Sequence, residues 1–222
     1  MYPEKQQAAS AANQIVLASG QPGIRCAGLV SSIGGQRVLD GISCEFPAGQ
    51  TTAVLGPSGS GKSTLLRHNT GLRSAAAGEL VVGQIDMAAL SRGRVLGSLD
   101  ELRRQIGYAV QGSALFPHLT AAENIGILAR ELGWAQARVD ERIAELLELM
   151  RLPPGYRDRF PHELSGGEQQ RVGLCRAMFA RPKILLLDEA FGALDPLTRA
   201  DIHASLREML RVEPLTVVLV TH

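Results

Sequence analysis

Nine residues, "GPSGSGKST" from Gly56 to Thr64, carry the spacing G-x-x-x-x-G-K-[ST]. Glycine reaches positive φ without a steric penalty, so the backbone N–H groups of Ser58, Gly59, Ser60 and Gly61 can close around phosphate oxygens. Gly56, Pro57, Ser58, Gly59, Ser60 and Gly61 make up the phosphate-binding stretch before Lys62. A helix starting at Lys62 would aim its N-terminal N–H groups and its dipole at the same place. Lys62 has the reach for β- and γ-phosphates, Ser63 offers a hydroxyl to Mg²⁺, and Thr64 completes the motif. The flanks supply the context this motif requires. "TTAVL" (51–55) reads as a strand, and "KSTLLRHNT" (62–70) reads as a helix closed by Gly71 at its C′ position.

A second chemical cluster lies in "ILLLDE" (184–189). Asp188 ends a near-continuous apolar run, the pattern of a strand covered on both faces, and is placed to hold Mg²⁺ through water. Glu189 follows it and would act on an attacking water as general base, a role that contributes roughly 10²- to 10⁴-fold. Phosphoryl transfer depends on positioning and charge neutralisation more than on covalent chemistry, and these residues supply both. The chain then closes on "LTVVLVTH" (215–222), a buried strand with His222 at its polar tip.

These residues need a scaffold, and the rest of the sequence describes one. Residues 1–23 are rich in Ala, Gln, Ser and Gly and read as a disordered leader. In "ISCEF", Ile42, Cys44 and Phe46 alternate onto one face of a strand. From about 95 to 165 the pattern turns helical. Ser98 with Glu101, Thr120 with Glu123, and Ser165 with Glu168 all have capping-box spacing. Within 138–150, Val139, Ile143, Leu146, Leu147 and Met150 share a helical face, and Pro153 and Pro154 end that helix. Asp195 and Pro196 form an N-cap and N1 pair opening a helix to about Arg211. Strands alternating with helices around a helical insert predict an α/β core with a helical subdomain.

Composition narrows the function classes. With 23 basic and 22 acidic residues the formal charge is +1, so no strong field points to nucleic acid or a membrane surface. No apolar run approaches the roughly 20 residues of a membrane span. Cys26, Cys44 and Cys175 are odd in number and widely spaced, which reads as buried, reduced thiols in a cytoplasmic protein.

"LSGGEQQR" (164–171), taken with the phosphate loop and "LLLDEAFGALD" (185–195), closely resembles the ATP-binding cassette (ABC) ATPases from about residue 26 to the end. The resemblance implies a P-loop NTPase (RecA-like) core at about 24–95 and 182–222, with a helical subdomain at about 96–181. It implies ATP and Mg²⁺ as cofactors and ATP hydrolysis as the activity. Gln111 falls at the glutamine that touches Mg²⁺ and relays nucleotide state. Ser165, Gly166 and Gly167 would cap the γ-phosphate held by a second copy in a head-to-tail dimer, and Asp195 would span that interface. His222 matches the histidine that positions the attacking water beside Glu189. The implied partners are a second ATPase subunit, transmembrane permease subunits and, indirectly, a substrate-binding protein, with no nucleic acid. The implied location is the cytoplasmic face of the membrane.

"LRRQIGYAVQGSALFPHLTAAENI" and "YRDRFPHELSGGEQQR" look most like subunits that energise import of osmoprotectants and other quaternary amines such as glycine betaine and choline. Three features depart from the family pattern. Ile33 stands where an aromatic ring usually stacks on adenine, a contact worth about 1–3 kcal/mol in nucleic-acid systems. Ala190 replaces the commoner proline. The sequence stops after His222, so the resemblance implies a cassette lacking its C-terminal part, with one flank of the last strand uncovered and a terminal carboxylate close to the γ-phosphate. A catalytically inactive cassette and a non-transport ABC ATPase are the rival readings.

Overall fold

A computed structural model describes residues 22–72, 74–92, 99–110, 112–191, 196–213 and 215–221. In chain order the elements are β1 (Pro22–Ile33), β2 (Gln36–Pro47), β3 (Thr51–Leu55), α1 (Lys62–Asn69), β4 (Ala77–Val82), β5 (Ile85–Asp86), α2 (Met87–Ser91), α3 (Leu99–Arg103) and β6 (Ile106–Ala109). There follow α4 (Ala121–Ile125), α5 (Gln136–Leu149), two 3₁₀ turns (Pro154–Asp158 and Pro161–Glu163), α6 (Gly166–Met178), β7 (Ile184–Asp188), α7 (Pro196–Val212) and β8 (Thr216–Thr221). The leader assigned to the N-terminus falls, through residue 21, outside the described residues; β1 opens at Pro22.

Two sheets organise these elements. One is antiparallel in the order β2-β1-β4-β5, and the other pairs in the order β3-β8-β7-β6, with every pair parallel. Gly34 and Gly35 join β1 to β2 with both φ values positive, as a two-residue hairpin turn of the I′ kind requires. The parallel sheet is the middle layer. Alternation along its strands sends Leu185, Leu187 and Val217 into a core shared with α5, α6 and α7. It sends Ile184, Leu186, Val218 and Val220 into a second core shared with α1 and the antiparallel sheet. All five residues of β7 are buried, which explains its unbroken apolar run.

Local signals resolve largely as the sequence predicts. Thr120 and Ser165 each form a complete capping box, and Gly71, at φ 66°, closes α1 just after its C-cap Thr70. The face of α5 carrying Val139, Ile143, Leu146 and Leu147 is buried, and Met150 at its C-cap is buried too. Arg142 on the same helix is 2% exposed. It donates to the carbonyls of Met178 and Phe179 and to both carboxylate oxygens of Glu213, tying α5 to the ends of α6 and α7.

Ile42 keeps the alternation of Cys44 and Phe46 along β2 and is 37% exposed on this edge strand. Two expectations are corrected. Pro153 and Pro154 do not end α5. Its C-terminus is closed earlier by Arg151 at φ 54°, with the N–H groups of Arg151 and Leu152 bonded to the carbonyls of Glu148 and Leu147 in a Schellman arrangement. The last strand has no uncovered flank. β8 pairs with β3 on one side and β7 on the other, and Thr216, Val217, Val218 and Val220 are buried. The outer strands are β6 and β3, and Leu55 of β3 is 69% exposed.

Candidate functional site

The phosphate loop leaves β3 at Leu55, the register partner of Thr221 on β8, and returns into α1 at Lys62. Gly61 sits at the N-cap with φ 91° and ψ 3°, a left-handed conformation that favours glycine. A Cβ there would lie 2.9 Å from Leu39 Cδ2 and 3.0 Å from the Val38 carbonyl oxygen, so β2 presses directly against the loop. No side chain caps the N-terminus of α1, and its first turn holds no acidic residue. The leading N–H groups of a helix need a partner, and with no side chain bonded to them they suit an anion.

Lys62 is buried and extends back along the loop. Its ammonium donates to the carbonyls of Gly56 at 2.7 Å and Pro57 at 2.8 Å, and lies 4.0 Å from Glu189 Oε1. In α1, Ser63 Oγ donates to Asp188 Oδ1 at 2.7 Å across the gap between the end of β7 and the start of the helix. Asp188 is 3% exposed, and its second oxygen accepts a 2.9 Å bond from the Tyr108 hydroxyl on β6. Burial, then the charge of Asp188 and the bond to it, push the Tyr108 phenol up to about 12, so it stays protonated and donates. Glu189 occupies the left-handed region at φ 48° although it is not glycine, and its N–H donates to the Val220 carbonyl at 3.1 Å. Such a conformation costs roughly 1–2 kcal/mol, and strain of this kind clusters at functional sites.

The residues fit a nucleotide with its metal. Ser63 and Asp188 form an all-oxygen pair of the type a hard divalent ion prefers. The uncapped helix start and the glycine loop suit phosphate. Among the described residues there is no cluster of three or more His, Cys, Asp or Glu side chains, so the alternative of an all-protein metal cage finds no support there.

Thus the fold gathers Gly56 to Thr64, Asp188 and Glu189 at the C-terminal ends of β3 and β7. Ser165, Gly166 and Gly167 lie elsewhere, at the start of α6. Ser165 caps that helix, Glu168 closes the box, and Tyr156 donates to Glu168 at 2.8 Å. No described atom lies within 4 Å of a Cβ built on Gly166, so this turn presents an open surface. Gln111, Asp195 and His222 lie outside the described residues. Ile33 is 40% exposed where β1 meets its turn, and Ala190 is buried. Sequence reasoning missed Tyr108: nothing in "GYAVQ" shows that β6 lies beside β7 with its phenol in reach of Asp188.

The sequence pattern described as ABC transporter matches residues 39–192. The chain is 42% identical over 189 residues to the glycine betaine uptake system ATP-binding protein YehX of Escherichia coli (strain K12), covering 85% of this chain and 59% of that protein. It is 39% identical over 191 residues to the glycine betaine/carnitine/choline transport ATP-binding protein OpuCA of Bacillus subtilis (strain 168), covering 85% and 48%. It is 42% identical over 199 residues to the Fe(3+) ions import ATP-binding protein FbpC 1 of Rhodococcus jostii (strain RHA1), covering 88% and 54%. The chain therefore spans about half the length of the curated relatives it matches. Among solved structures it resembles the dimeric structure of MJ0796, a bacterial ABC transporter cassette, with a TM-score of 0.78 at 31% identity over 90% of this chain and 88% of that one. A post-hydrolysis dimer of the same cassette bound to ADP and Pi gives a TM-score of 0.77 at 30% identity, with the same coverage. With its phosphate loop, its Asp188–Glu189 pair and its three-layered core, the chain belongs to the ABC transporter family.

Proposed function

We propose that this chain binds and hydrolyses ATP as the energising subunit of an ABC importer. The observation that carries the reading is the convergence of Ser63 and Tyr108 on the two oxygens of Asp188, beside Lys62 and Glu189. Lys62 and the loop N–H groups bind the phosphates of ATP, and the N-terminus of α1 faces their charge. Ser63 and Asp188 would hold Mg²⁺, with Gln111 as a further ligand; when bound it offsets charge on the transferring phosphate. Glu189 takes the proton of the attacking water, and His222 orients that water. Ser165, Gly166 and Gly167 act on the nucleotide of a second copy, in a head-to-tail dimer that docks on permease subunits at the inner face of the membrane. Among the described residues no helix is long and apolar enough to cross a membrane.

The cargo we propose is a quaternary amine. Three matched relatives carry glycine betaine, carnitine or choline in their names, at 38–42% identity. Iron and sulfate importers are as similar, at 42–43%, so family likeness alone does not separate these cargoes.

The first test is steady-state ATP hydrolysis by the purified chain beside Glu189→Gln. Mg²⁺-dependent turnover that disappears in the variant supports the hydrolytic reading with Glu189 as base. A folded chain that binds ATP without turnover favours the inactive cassette instead. For the cargo, cells lacking this chain should lose uptake of labelled glycine betaine and keep that of ferric iron and sulfate; the reverse pattern reassigns it.

A further inference from the structure

The antiparallel sheet contains a reactive pair that the nucleotide site does not use. Over Ile24↔Phe46, Arg25↔Glu45 and Cys26↔Cys44 the ladder between β1 and β2 is regular, so side chains alternate cleanly. Ile24, Cys26 and Phe46 are buried, whereas Arg25 and Glu45 are exposed. Cys26 and Cys44 are therefore direct cross-strand neighbours on the inner face, and their thiols share a hydrogen bond. Directly opposed residues in such a ladder have Cα atoms about 4.5–5.5 Å apart, inside the ~4.4–6.8 Å span that a disulfide needs.

Access and acidity are unequal in a useful way. Cys26 is on an inner strand, with Leu80 of β4 as its other neighbour, and is 2% exposed. Cys44 is on the edge strand and partly open to solvent. The hydrogen bond from Cys26 holds Cys44 below the ordinary thiol range, while that same bond and burial raise Cys26. The thiolate is the nucleophile in thiol–disulfide exchange, so Cys44 attacks first and Cys26 resolves.

We infer that Cys26 and Cys44 form a covalent modification site that takes a low-molecular-weight disulfide and closes to a cross-strand disulfide. The Cys44 thiolate attacks one sulfur of the small disulfide, forming a mixed disulfide and releasing one thiolate. Cys26 then gives up its proton and attacks Cys44 Sγ, displacing the second thiolate. Two protein thiols are oxidised by two electrons, the small disulfide is reduced to two thiols, and the protons go to the released thiolates. The bond staples the hairpin whose residues Val38 and Leu39 back Gly61. Cys175 is the internal contrast. It is fully buried, donates to the Leu146 carbonyl, and is pushed up to about 12 by burial.

The test is to incubate the folded chain with glutathione disulfide, alkylate remaining thiols, and read intact mass and peptides. The expected product has lost two hydrogen atoms, carries one Cys26–Cys44 link, and leaves Cys175 unmodified until the chain is unfolded. Dithiothreitol reverses the link, and its formation raises Tm by roughly 6–12 °C, because closing the loop from Cys26 to Cys44 removes entropy from the unfolded chain. Cys26→Ser should stop at a glutathione adduct on Cys44, and Cys44→Ser should take neither adduct nor link. The proposal is overturned if circular dichroism shows the chain folded and no link forms. It is equally overturned by a glutathione adduct that persists on wild-type Cys44 beside an alkylatable Cys26, or by a link through Cys175.

Discussion

Two glycines of the phosphate loop give a paired experiment in which one contact is isolated. Gly59 and Gly61 both lie in the left-handed region, at φ 80° and 91°. An alanine in that region costs about 1–2 kcal/mol at either position. Their surroundings differ. No described atom lies within 4 Å of a Cβ on Gly59, whereas one on Gly61 meets Leu39 Cδ2 at 2.9 Å and the Val38 carbonyl at 3.0 Å. Leu39 is 3% exposed in the core and the carbonyl belongs to strand β2, so neither neighbour moves aside cheaply. Overpacking of this kind adds roughly 1–3 kcal/mol. Gly59→Ala should therefore lose about 1–2 kcal/mol of unfolding free energy and Gly61→Ala about 2–5 kcal/mol. Urea denaturation with an unchanged slope measures both. Equal losses would refute the reasoning, because they would mean that the loop is not held against β2 and simply shifts to admit the methyl group.

Tyr108→Phe leaves Asp188 Oδ2 buried without its donor. It should lower stability by about 1–3 kcal/mol in urea and raise the Mg²⁺ concentration that half-saturates ATP hydrolysis. Glu168 should give an acid signature. Burial pushes its carboxyl up, but bonds from the Ser165 N–H, the Tyr156 hydroxyl and the Ser165 hydroxyl outweigh this and leave it below the usual carboxylate range. Its stabilisation is then present in full above about pH 4.3 and is lost as pH falls through the depressed folded value. The stability gap between wild type and Glu168→Gln, measured by urea unfolding, should be constant near neutrality and narrow in acid. Arg151→Gly relieves a left-handed residue at an exposed helix end and should stabilise the chain by about 1 kcal/mol in the same assay.

What the sequence made legible was chemistry and structure within a few residues of chain. The phosphate loop spans nine positions, the capping boxes at Thr120 and Ser165 span four each, and the buried face of α5 repeats every three or four. Each is decided by local backbone geometry, so residue type and spacing suffice. What stayed hidden was decided by register between strands distant in sequence. Tyr108 reaches Asp188 across 80 residues, and Cys26 meets Cys44 only because the ladder aligns them. Arg151 was hidden for a different reason. Its left-handed turn is the work glycine usually does, and the prolines two and three residues on offered a more obvious stop.

The strand order explains why these distant pairs matter to the site. β8 lies between the strand that feeds the phosphate loop and the strand that ends in Asp188, so it sets the spacing between loop and carboxylates. Its far end is fixed by Thr216, fully buried, whose hydroxyl accepts from the Gly49 N–H at 2.9 Å just before β3 begins. Its near end supplies the Val220 carbonyl that holds the Glu189 backbone in its left-handed turn, and Thr221 opposite Leu55. Asp188 cannot rotate freely, because hydroxyls from α1 and β6 occupy both its oxygens. Lys62 is oriented by two loop carbonyls. Asp188 is thus held from two elements, α1 and β6, and the Glu189 backbone from a third, β8. Groups fixed by such contacts reorganise little when charge develops, which is the condition electrostatic stabilisation requires.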